Sequence, residues 1–291
     1  MSENGSGPQE SDRLRLGGMA LRNGLLIHGP TSWAIAARAP DGSVEVVSGP
    51  KPNLARGALG RVPLLRGPLR LAEALAVLPL ARARLASARL PFEDRTVAAA
   101  IAVSLAGSAV LRRMRGATMR RELAVAVLGT LPALTALRDR NLASYHAVEH
   151  KAIGGYERDV DPAQVPKEHE RCGSNLIGPM MVLSITGQVL VERFARNPGP
   201  ALRGLAALGG VGAAVELFVY AERNPDSAVG WAVHAPGYEI QRRVSTREPT
   251  PEQLEVGVAA LNEILRAEGE GAPGTPAEAL TSEPPPEPPG D

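Results

Sequence analysis

Four long apolar stretches are the sequence feature that most constrains how this chain of 291 residues can fold. Each is 15 to 17 residues long, and Glu216 is the one charged side chain within them. A perpendicular membrane span prefers roughly 20 residues, so length alone also allows buried helices of a soluble bundle. Their glycines permit close helix packing in either solvent. The stretches cover residues 97–111, 123–137, 176–191 and 204–220.

Arginines beside these stretches complicate a membrane topology. With an even number of spans, both ends of the chain lie on one side of the membrane. That side is expected to be the cytoplasm, because residues 1–12 lack the apolar core of a signal peptide. The positive-inside rule would nevertheless keep the first hairpin loop in the cytoplasm. Either the first helix pair is a re-entrant or surface hairpin, or the helices do not span. The arginines of that loop are Arg112, Arg113, Arg115, Arg120 and Arg121.

Before the apolar stretches, residues 17–50 predict a small β unit. The segments 33–38 and 43–47 have strand-like composition, and a Pro-Asp-Gly turn sequence at 40–42 joins them. A third strand is expected at 25–28, where branched and aliphatic side chains precede a Gly-Pro pair. The β unit therefore precedes the helical part of the chain.

After the apolar stretches, a clear helix start predicts a C-terminal amphipathic helix over residues 250–268. Thr250 is a good N-cap, Pro251 suits the first helical position, and Gln253 completes a capping box. The Pro- and Glu-rich residues 269–291 cannot bury enough apolar surface to fold, so disorder is expected there. One face of the helix carries Leu254, Val258, Leu261 and Leu265.

Composition limits the classes of function and sets the domain prediction. A net charge of +1 and an aromatic content of 3% give neither the basic excess nor the stacking side chains that are typical of nucleic-acid binding. A single cysteine excludes an intrachain disulfide and is compatible with a reducing compartment. We predict a disordered N-terminus over 1–12 and one domain over 13–268. Its helical core covers 63–222 and begins with an amphipathic segment at 63–89.

The motif formed by His146, Glu149 and His150 carries the most chemical information, in a chain with only five histidines. Two histidines four residues apart on a helix project from one face, where they can hold a divalent metal. Glu149 lies on nearly the same face, where it could bind the metal, orient a ligand or take a proton from water. The pattern H-x-x-E-H is the reversed zincin motif of the inverzincins. The competing interpretation is a solvated helix face beside Lys151.

A second cluster downstream adds another imidazole and the only thiol of the chain. His169 and Cys172 have the spacing of metal ligands. Catalytic zinc sites keep three protein ligands and an open position, whereas structural sites close with four. His146 and His150 with either His169 or Cys172 would form the open kind, and all four would form the closed kind. The competing interpretation is a buried apolar Cys172 and a surface His169. Rival oxygen ligands are Glu157, Glu168 and Glu170.

With three other blocks, this motif resembles the YqhQ-like bacterial proteins, a family of unknown function regarded as metal-dependent and membrane-embedded. The resemblance extends over most of the chain. The family motif is Y-H-G-A-E-H-K, and this chain differs from it only at Ala147 and Val148. The resemblance implies that the metal candidates carry over one by one and that the apolar stretches are membrane helices. The blocks are 17–30, 63–67, 145–151 with 171–173, and 236–249.

The chain departs from the family in its opening block. Met19 stands where the family has glutamine, and Asn23 where it has glutamate. If that glutamate is a ligand or a base, the activity is altered or lost. His28 is interpreted as a strand residue rather than a replacement ligand. Glu216 aligns with a family glutamate and is either a functional carboxylate with a partner or a helix-end residue that faces Arg223 or solvent.

The sequence therefore predicts a mostly helical α+β protein with a small N-terminal β unit, four membrane-embedded helices and a C-terminal amphipathic helix. The predicted function is that of a metal-dependent hydrolase with a divalent metal, for which zinc is expected. The ligands are His146, His150 and one of His169 or Cys172, and Glu149 is the general base. The alternatives are a non-catalytic membrane scaffold with structural zinc and a metal-free membrane protein.

The predicted partners follow from the same resemblance and composition. They are membrane lipid and a substrate whose identity the sequence does not contain, with no nucleic acid, and a homo-oligomer is compatible with the sequence. The predicted location is the bacterial inner membrane, with the metal site on its cytoplasmic side.

Overall fold

The computed structural model describes residues 13–55, 57–113, 119–195 and 198–269. The segments expected to be disordered, 1–12 and the tail after Gly269, therefore lie outside the described residues. Part of the arginine-rich loop of the first hairpin, residues 114–118, lies outside them too.

The N-terminal β unit is a four-stranded antiparallel meander with the order β1-β2-β3-β4. It confirms the three expected strands and adds β1 before them. The predicted turn joins β3 to β4, where Gly42 has a φ of +90° and the Asp41 carboxylate accepts a hydrogen bond from the Ser43 amide. Such a φ favours glycine because a side chain would be strained there. The strands are β1 Gly17–Ala20, β2 Gly24–His28, β3 Ser32–Arg38 and β4 Val44–Pro50.

Eight helices of at least 13 residues occur in the described part of the chain, which is mostly helical as predicted. A π-helical turn, Gln241–Ser245, extends α7 directly. The helices are α1 Arg66–Arg84, α2 Arg95–Arg113, α3 Met119–Ala136, α4 Arg140–Arg158, α5 Ile177–Phe194, α6 Pro200–Arg223, α7 Ala228–Ile240 and α8 Pro251–Glu268.

Helices cover both faces of the sheet. Alternate residues of a strand point to opposite faces. Leu25 and Ile27 belong to the core that α4 and α8 complete. Leu26 and Trp33 belong to a second core that the end of α1 completes. The sheet, α4, α8 and the end of α1 therefore form one packed unit, called here the α/β body.

Helix α8 begins as the sequence predicts. The Thr250 hydroxyl accepts a hydrogen bond from the Gln253 amide, and the Gln253 side chain accepts one from the Thr250 amide. Leu261 and Leu265 are buried in the core shared with the sheet. Leu254 packs against the same core, whereas Val258 is exposed, so three of the four residues of the predicted stripe face the core of the α/β body.

The remaining apolar stretches form two helix hairpins, α2 with α3 and α5 with α6. Within the described residues, three helical segments are long and apolar enough to cross a membrane, and not the predicted four. The prediction was wrong for α3, because its first turn carries Arg120, Arg121 and Glu122 and only a short apolar part follows. The three segments are Arg95–Arg113, Gly173–Phe194 and Pro200–Arg223.

Candidate metal centre

Helix α4 presents both histidines of the motif to the loop before α5. Asp139 caps this helix by accepting a hydrogen bond from the Asn141 amide. Val148 is buried in the core of the α/β body, and this fixes the rotation of the helix. The His146 and His150 rings lie with their centroids 4.5 Å apart, as residues four apart on a helix should.

Backbone carbonyls fix the orientation of both imidazoles. Nδ1 of His146 donates to the Ser245 carbonyl at 2.8 Å, and Nδ1 of His150 donates to the Lys167 carbonyl at 2.6 Å. In a neutral ring with Nδ1 protonated, Nε2 keeps a free lone pair. Metal-binding histidines usually have such an acceptor on the other nitrogen. Both rings are therefore held as metal ligands would be.

Cys172 brings a sulfur to the same point. Its Sγ lies 3.3 Å from Nε2 of His146. The ligand atoms of His146, His150 and Cys172, called here the His-His-Cys group, all lie within 4.8 Å of one another. Zinc bonds of about 2.0 Å to nitrogen and 2.3 Å to sulfur at a tetrahedral angle separate those atoms by roughly 3.5 Å. The spacing therefore fits a zinc ion.

Nε2 of His150 gives an independent indication of a ligand. This atom is buried and forms no hydrogen bond of normal geometry in the described part of the chain, although the Cys172 thiol interacts with the ring. A buried polar atom without a partner normally costs free energy. Burial also lowers the pKa of His150, which favours the neutral ring that binds metal. The donor set thus fits a divalent metal of the zinc type.

Glu149 lies beside this group, against strand β1. A Cβ atom on Gly18 would lie only 2.7 Å from the Glu149 side chain, so this strand position needs a glycine. Burial raises the pKa of Glu149, although the nearby His146 opposes the shift. A carboxyl group with a raised pKa is better matched to proton transfer near neutral pH.

His169 lies close by but outside the His-His-Cys group. Its Nε2 lies 3.1 Å from a Glu157 carboxylate oxygen, and its backbone amide donates to the Gln241 side chain. Its ring stacks on that of His150 with centroids 5.6 Å apart. Burial lowers the pKa of His169. Of the four predicted ligands, the structure thus brings three together and gives the fourth another partner.

The three glutamates that could have supplied oxygen ligands also contact other groups or solvent. Glu157 forms an ion pair with Arg171, and another of its carboxylate oxygens accepts a hydrogen bond from the ring of His169. Glu168 lies 3.7 Å from the Lys167 ammonium group. Glu170 is exposed, and its backbone carbonyl accepts a hydrogen bond from Asn175.

The π-helical turn Gln241–Ser245 is the part of the site that sequence reasoning missed. It supplies the carbonyl for His146 and the Gln241 side chain for the His169 amide. Short π-helical segments often occur at functional sites. The turn lies within the block 236–249 of the family resemblance, which was the only signal in the sequence that could have located it.

Lys151, next to the motif, has a structural place. Its ammonium group is buried, donates to the Val165 carbonyl and pairs with Glu248, with an N–O distance of 2.7 Å to each. These contacts join α4 to the loop that supplies the Lys167 carbonyl and to the segment after the π-helical turn.

Asn23, which the resemblance aligns with a glutamate, is a structural residue at the β1–β2 turn. Its side chain donates to the carbonyls of Arg38 and Ser87 and accepts from the Arg89 amide. In this chain the Asn23 side chain therefore binds backbone groups and does not reach the His-His-Cys group. The substitution is no argument against an intact metal site.

His28 and Glu216 also have structural partners. His28 ends strand β2, and its Nδ1 lies 3.3 Å from the Lys51 ammonium group. Burial and Lys51 lower the pKa of His28 to about 4. Glu216 pairs with Arg66, from the resemblance block 63–67, at 2.7 Å.

A cleft of about 440 Å³ adjoins the His-His-Cys group and is called here the apolar cleft. His146, Glu149 and Cys172 line its polar end. Its other walls come from β1, α1, the end of α3, the start of α5 and the segment before α2. Apolar residues that line it include Phe92, Ala133, Leu137, Ile177 and Ile240.

Comparisons with known proteins identify a family and no individual relative. A family model described as a protein of unknown function (DUF1385) matches residues 98–267, more than half of the chain. The matched segment contains the His-His-Cys group and Glu149, whereas the sheet precedes it. No curated protein and no solved structure matches this chain.

Proposed function

This chain belongs to the family of proteins of unknown function DUF1385, and we propose that it is a membrane-associated, metal-dependent hydrolase. The convergence of His146, His150 and Cys172 carries the proposal. Two Nε2 lone pairs and one sulfur point to a common centre, and both Nδ1 atoms are fixed by carbonyls. Three nitrogen and sulfur ligands match the open zinc sites of enzymes rather than closed structural sites.

Zinc is the metal that this donor set favours. Thiolate and imidazole ligands suit zinc, whereas oxygen ligands suit magnesium and calcium. When bound, such an ion lowers the pKa of a water molecule to near neutrality and makes it a nucleophile. The apolar cleft lies on the side of Cys172 and His146 from which water and substrate could approach.

Glu149 is the proposed general base. It lines the same cleft as His146 and Cys172, next to the His-His-Cys group. In a hydrolysis, Glu149 accepts the proton of the attacking water while the water oxygen bonds to the electrophilic atom of the substrate. Glu149 then passes that proton to the leaving group as its bond breaks. The lack of a side chain at Gly18 leaves room for Glu149 beside strand β1.

The bacterial cytoplasmic membrane is the proposed location, with the metal site on its cytoplasmic side. The chain order supports an even number of crossings on each side of α4. Helix α4 follows α3, yet it contacts strands β1 and β2, which precede α2. Helix α8 follows α6 and contacts α4 as well. If α5 and α6 cross, they cross as a pair, and α2 can cross only together with a second segment.

The first test is the metal content of the full-length protein, purified in detergent without chelator. Elemental analysis should find close to one zinc per chain, and His150→Ala and Cys172→Ser should each lose it. His169→Gln should keep the metal, because Nε2 of His169 lies with Glu157. Loss of zinc from His169→Gln as well would favour a closed, structural site and the scaffold alternative. Absence of metal from the wild-type protein would overturn the proposal.

The second test separates catalysis from metal binding. Glu149→Gln should keep the zinc and the stability of the fold but abolish turnover of any chromogenic ester or phosphoester that the zinc-loaded protein hydrolyses. The loss should be about 100-fold or more, as general-base catalysis contributes 10²–10⁴-fold. Equal turnover by Glu149→Gln would remove Glu149 from the mechanism.

A further inference from the structure

We propose that the substrate is an amphiphile whose apolar chain occupies the apolar cleft and whose hydrolysable polar group lies at the His-His-Cys group. This inference rests on the proposed function and adds the substrate class. Four structural observations on the cleft support it.

The first observation is the distribution of polarity along the cleft. His146, Glu149 and Cys172 are together at one end, and Ser174 and Ser245 lie beside them. The rest of the lining is almost entirely apolar. A wholly polar substrate would lose hydration against that wall without gaining hydrogen bonds. A molecule with one reactive polar group and an apolar chain fits the cleft, with the polar group at the polar end and the chain against the apolar wall.

The second observation is that the cleft lies beside the apolar helices. Ala133 and Leu137 belong to the end of α3, and Ile177 is the first residue of α5. Nearby on these helices, Leu134 and Val182 are exposed. Large exposed apolar surfaces indicate contact with lipid or with another protein. Apolar surface therefore continues from the outside of the helices to the cleft, which gives a lipid chain a path to the metal end.

The third observation is the size of the cleft. Its volume of about 440 Å³ lies within the range of roughly 300–1,000 Å³ that is usual for small-molecule sites. This space is larger than water and a short polar group require.

The fourth observation is that the cleft is open to its surroundings, and Phe92 in its apolar lining is almost half exposed. An open cleft lets an apolar chain longer than the cleft extend beyond it.

The only cysteine of the chain provides a test that does not depend on metal or turnover. Cys172 lines the polar end of the cleft. In full-length, chelator-treated protein in phosphatidylcholine nanodiscs, its thiolate attacks the sulfenyl sulfur of an alkyl methanethiosulfonate. A disulfide forms and methanesulfinate leaves. The rate of mass increase is measured with a methyl reagent and with a dodecyl reagent.

Two neighbouring residues of α3 give a matched pair of variants. Ala133 lines the cleft, whereas Leu134 is exposed and does not line it. Ala133→Trp should lower the dodecyl rate at least about tenfold, because a bulky side chain overfills the space for the chain. The same variant should leave the methyl rate nearly unchanged. Leu134→Trp should alter neither rate, and both variants meet the same concentration of reagent in the nanodisc.

Four results would overturn the inference. Wild-type Cys172 could react with the methyl reagent and not with the dodecyl reagent, or Ala133→Trp could slow both reagents or neither. Failure of both reagents to modify the wild-type protein would show a closed cleft and would also overturn it. The metal content decides the proposed function separately, so the two failures can be told apart.

Discussion

Large aliphatic side chains are buried in the α/β body but exposed on the apolar hairpins. In α8, Ile264 and Leu265 are 0% exposed, whereas Leu105 of α2 is 68% exposed and Leu205 of α6 is 65% exposed. Helix α8 also has a charged face, but α5 and α6 have almost none. A helix with one apolar stripe buries it against protein, and a helix that is apolar all round needs an apolar environment. The comparison indicates that the two regions have different solvents.

The His-His-Cys group lies where these two regions meet. His146 and His150 belong to α4 of the α/β body, and Cys172 caps the short helical turn that leads into α5. A metal bound there would join the α/β body to the apolar hairpins. The following predictions test the comparison, from the largest expected effect to the smallest.

The largest effect should be on membrane retention. The full-length protein should remain in the membrane pellet through an alkaline carbonate wash. Leu208→Arg, on the exposed surface of α6, should reduce retention, because arginine at the centre of a membrane helix costs roughly 2.5–3.5 kcal/mol. The control is Val258→Arg, on the exposed side of α8, which should be retained like the wild type. Recovery of the wild-type protein in the soluble fraction would contradict the comparison.

Truncation of core residues should separate the two regions next. Ile264→Ala should lower the free energy of unfolding by about 4 kcal/mol, because it leaves a cavity in the core of the α/β body. Leu105→Ala should change it by less than about 1 kcal/mol, since its side chain is exposed. Both are measured by denaturant unfolding in the same detergent. Equal losses would mean that α2 is packed as tightly as α8.

Removal of metal should have an effect of similar size. With free zinc at 100 times its Kd, binding stabilises the folded state by about 2.7 kcal/mol. Chelator should therefore lower the unfolding transition of the wild type and leave His150→Ala unchanged. If neither chelator nor added zinc shifts the unfolding transition of the wild type, no metal joins the two regions.

The smallest effect should be a pH dependence within the α/β body. Folding lowers the pKa of His28 from 6.5 to about 4, mainly through burial. The unfolded chain therefore takes up this proton first as the pH falls. The stability should be complete above pH 6.5, decrease between pH 6.5 and 4, and then level off. After a discount for partial exposure, the loss should be about 2 kcal/mol.

The matched variant for this prediction is His28→Gln, which removes the titrating ring but keeps a polar side chain. The difference between the unfolding free energies of wild type and variant should change over that pH interval. A constant difference from pH 7 to pH 4 would show that His28 does not control this part of the acid response.

Local patterns made much of the fold predictable from the sequence. The turn at 40–42, the capping box of Thr250 and Gln253, and the apolar stretches each depend on neighbouring residues. The i, i+4 spacing likewise placed His146 and His150 together. The prediction of a fourth membrane helix was wrong because it considered only the apolar stretch and left out the charged turn that begins α3.

Distant contacts explain what the sequence did not predict. The Ser245 carbonyl that orients His146 lies 99 residues further along the chain. The ring of His169 lies with Glu157, at the other end of α4 from His146, and the two residues come together through the loop between them. Asn23 could be interpreted only from its contacts with Ser87 and Arg89. No local pattern contains such pairings.

The sequence by itself thus determined which segments are helical, which are apolar all round and which histidines share a helix face, because hydrophobic period and capping are local properties. The tertiary structure alone decided that Cys172 joins His146 and His150, that His169 pairs elsewhere, and that His146 and Cys172 line an apolar cleft. Because α4 packs against strands that precede α2, any membrane crossings between those strands and α4 come in pairs. These properties depend on which distant surfaces bury each other, and that choice is made by the packing of the whole chain.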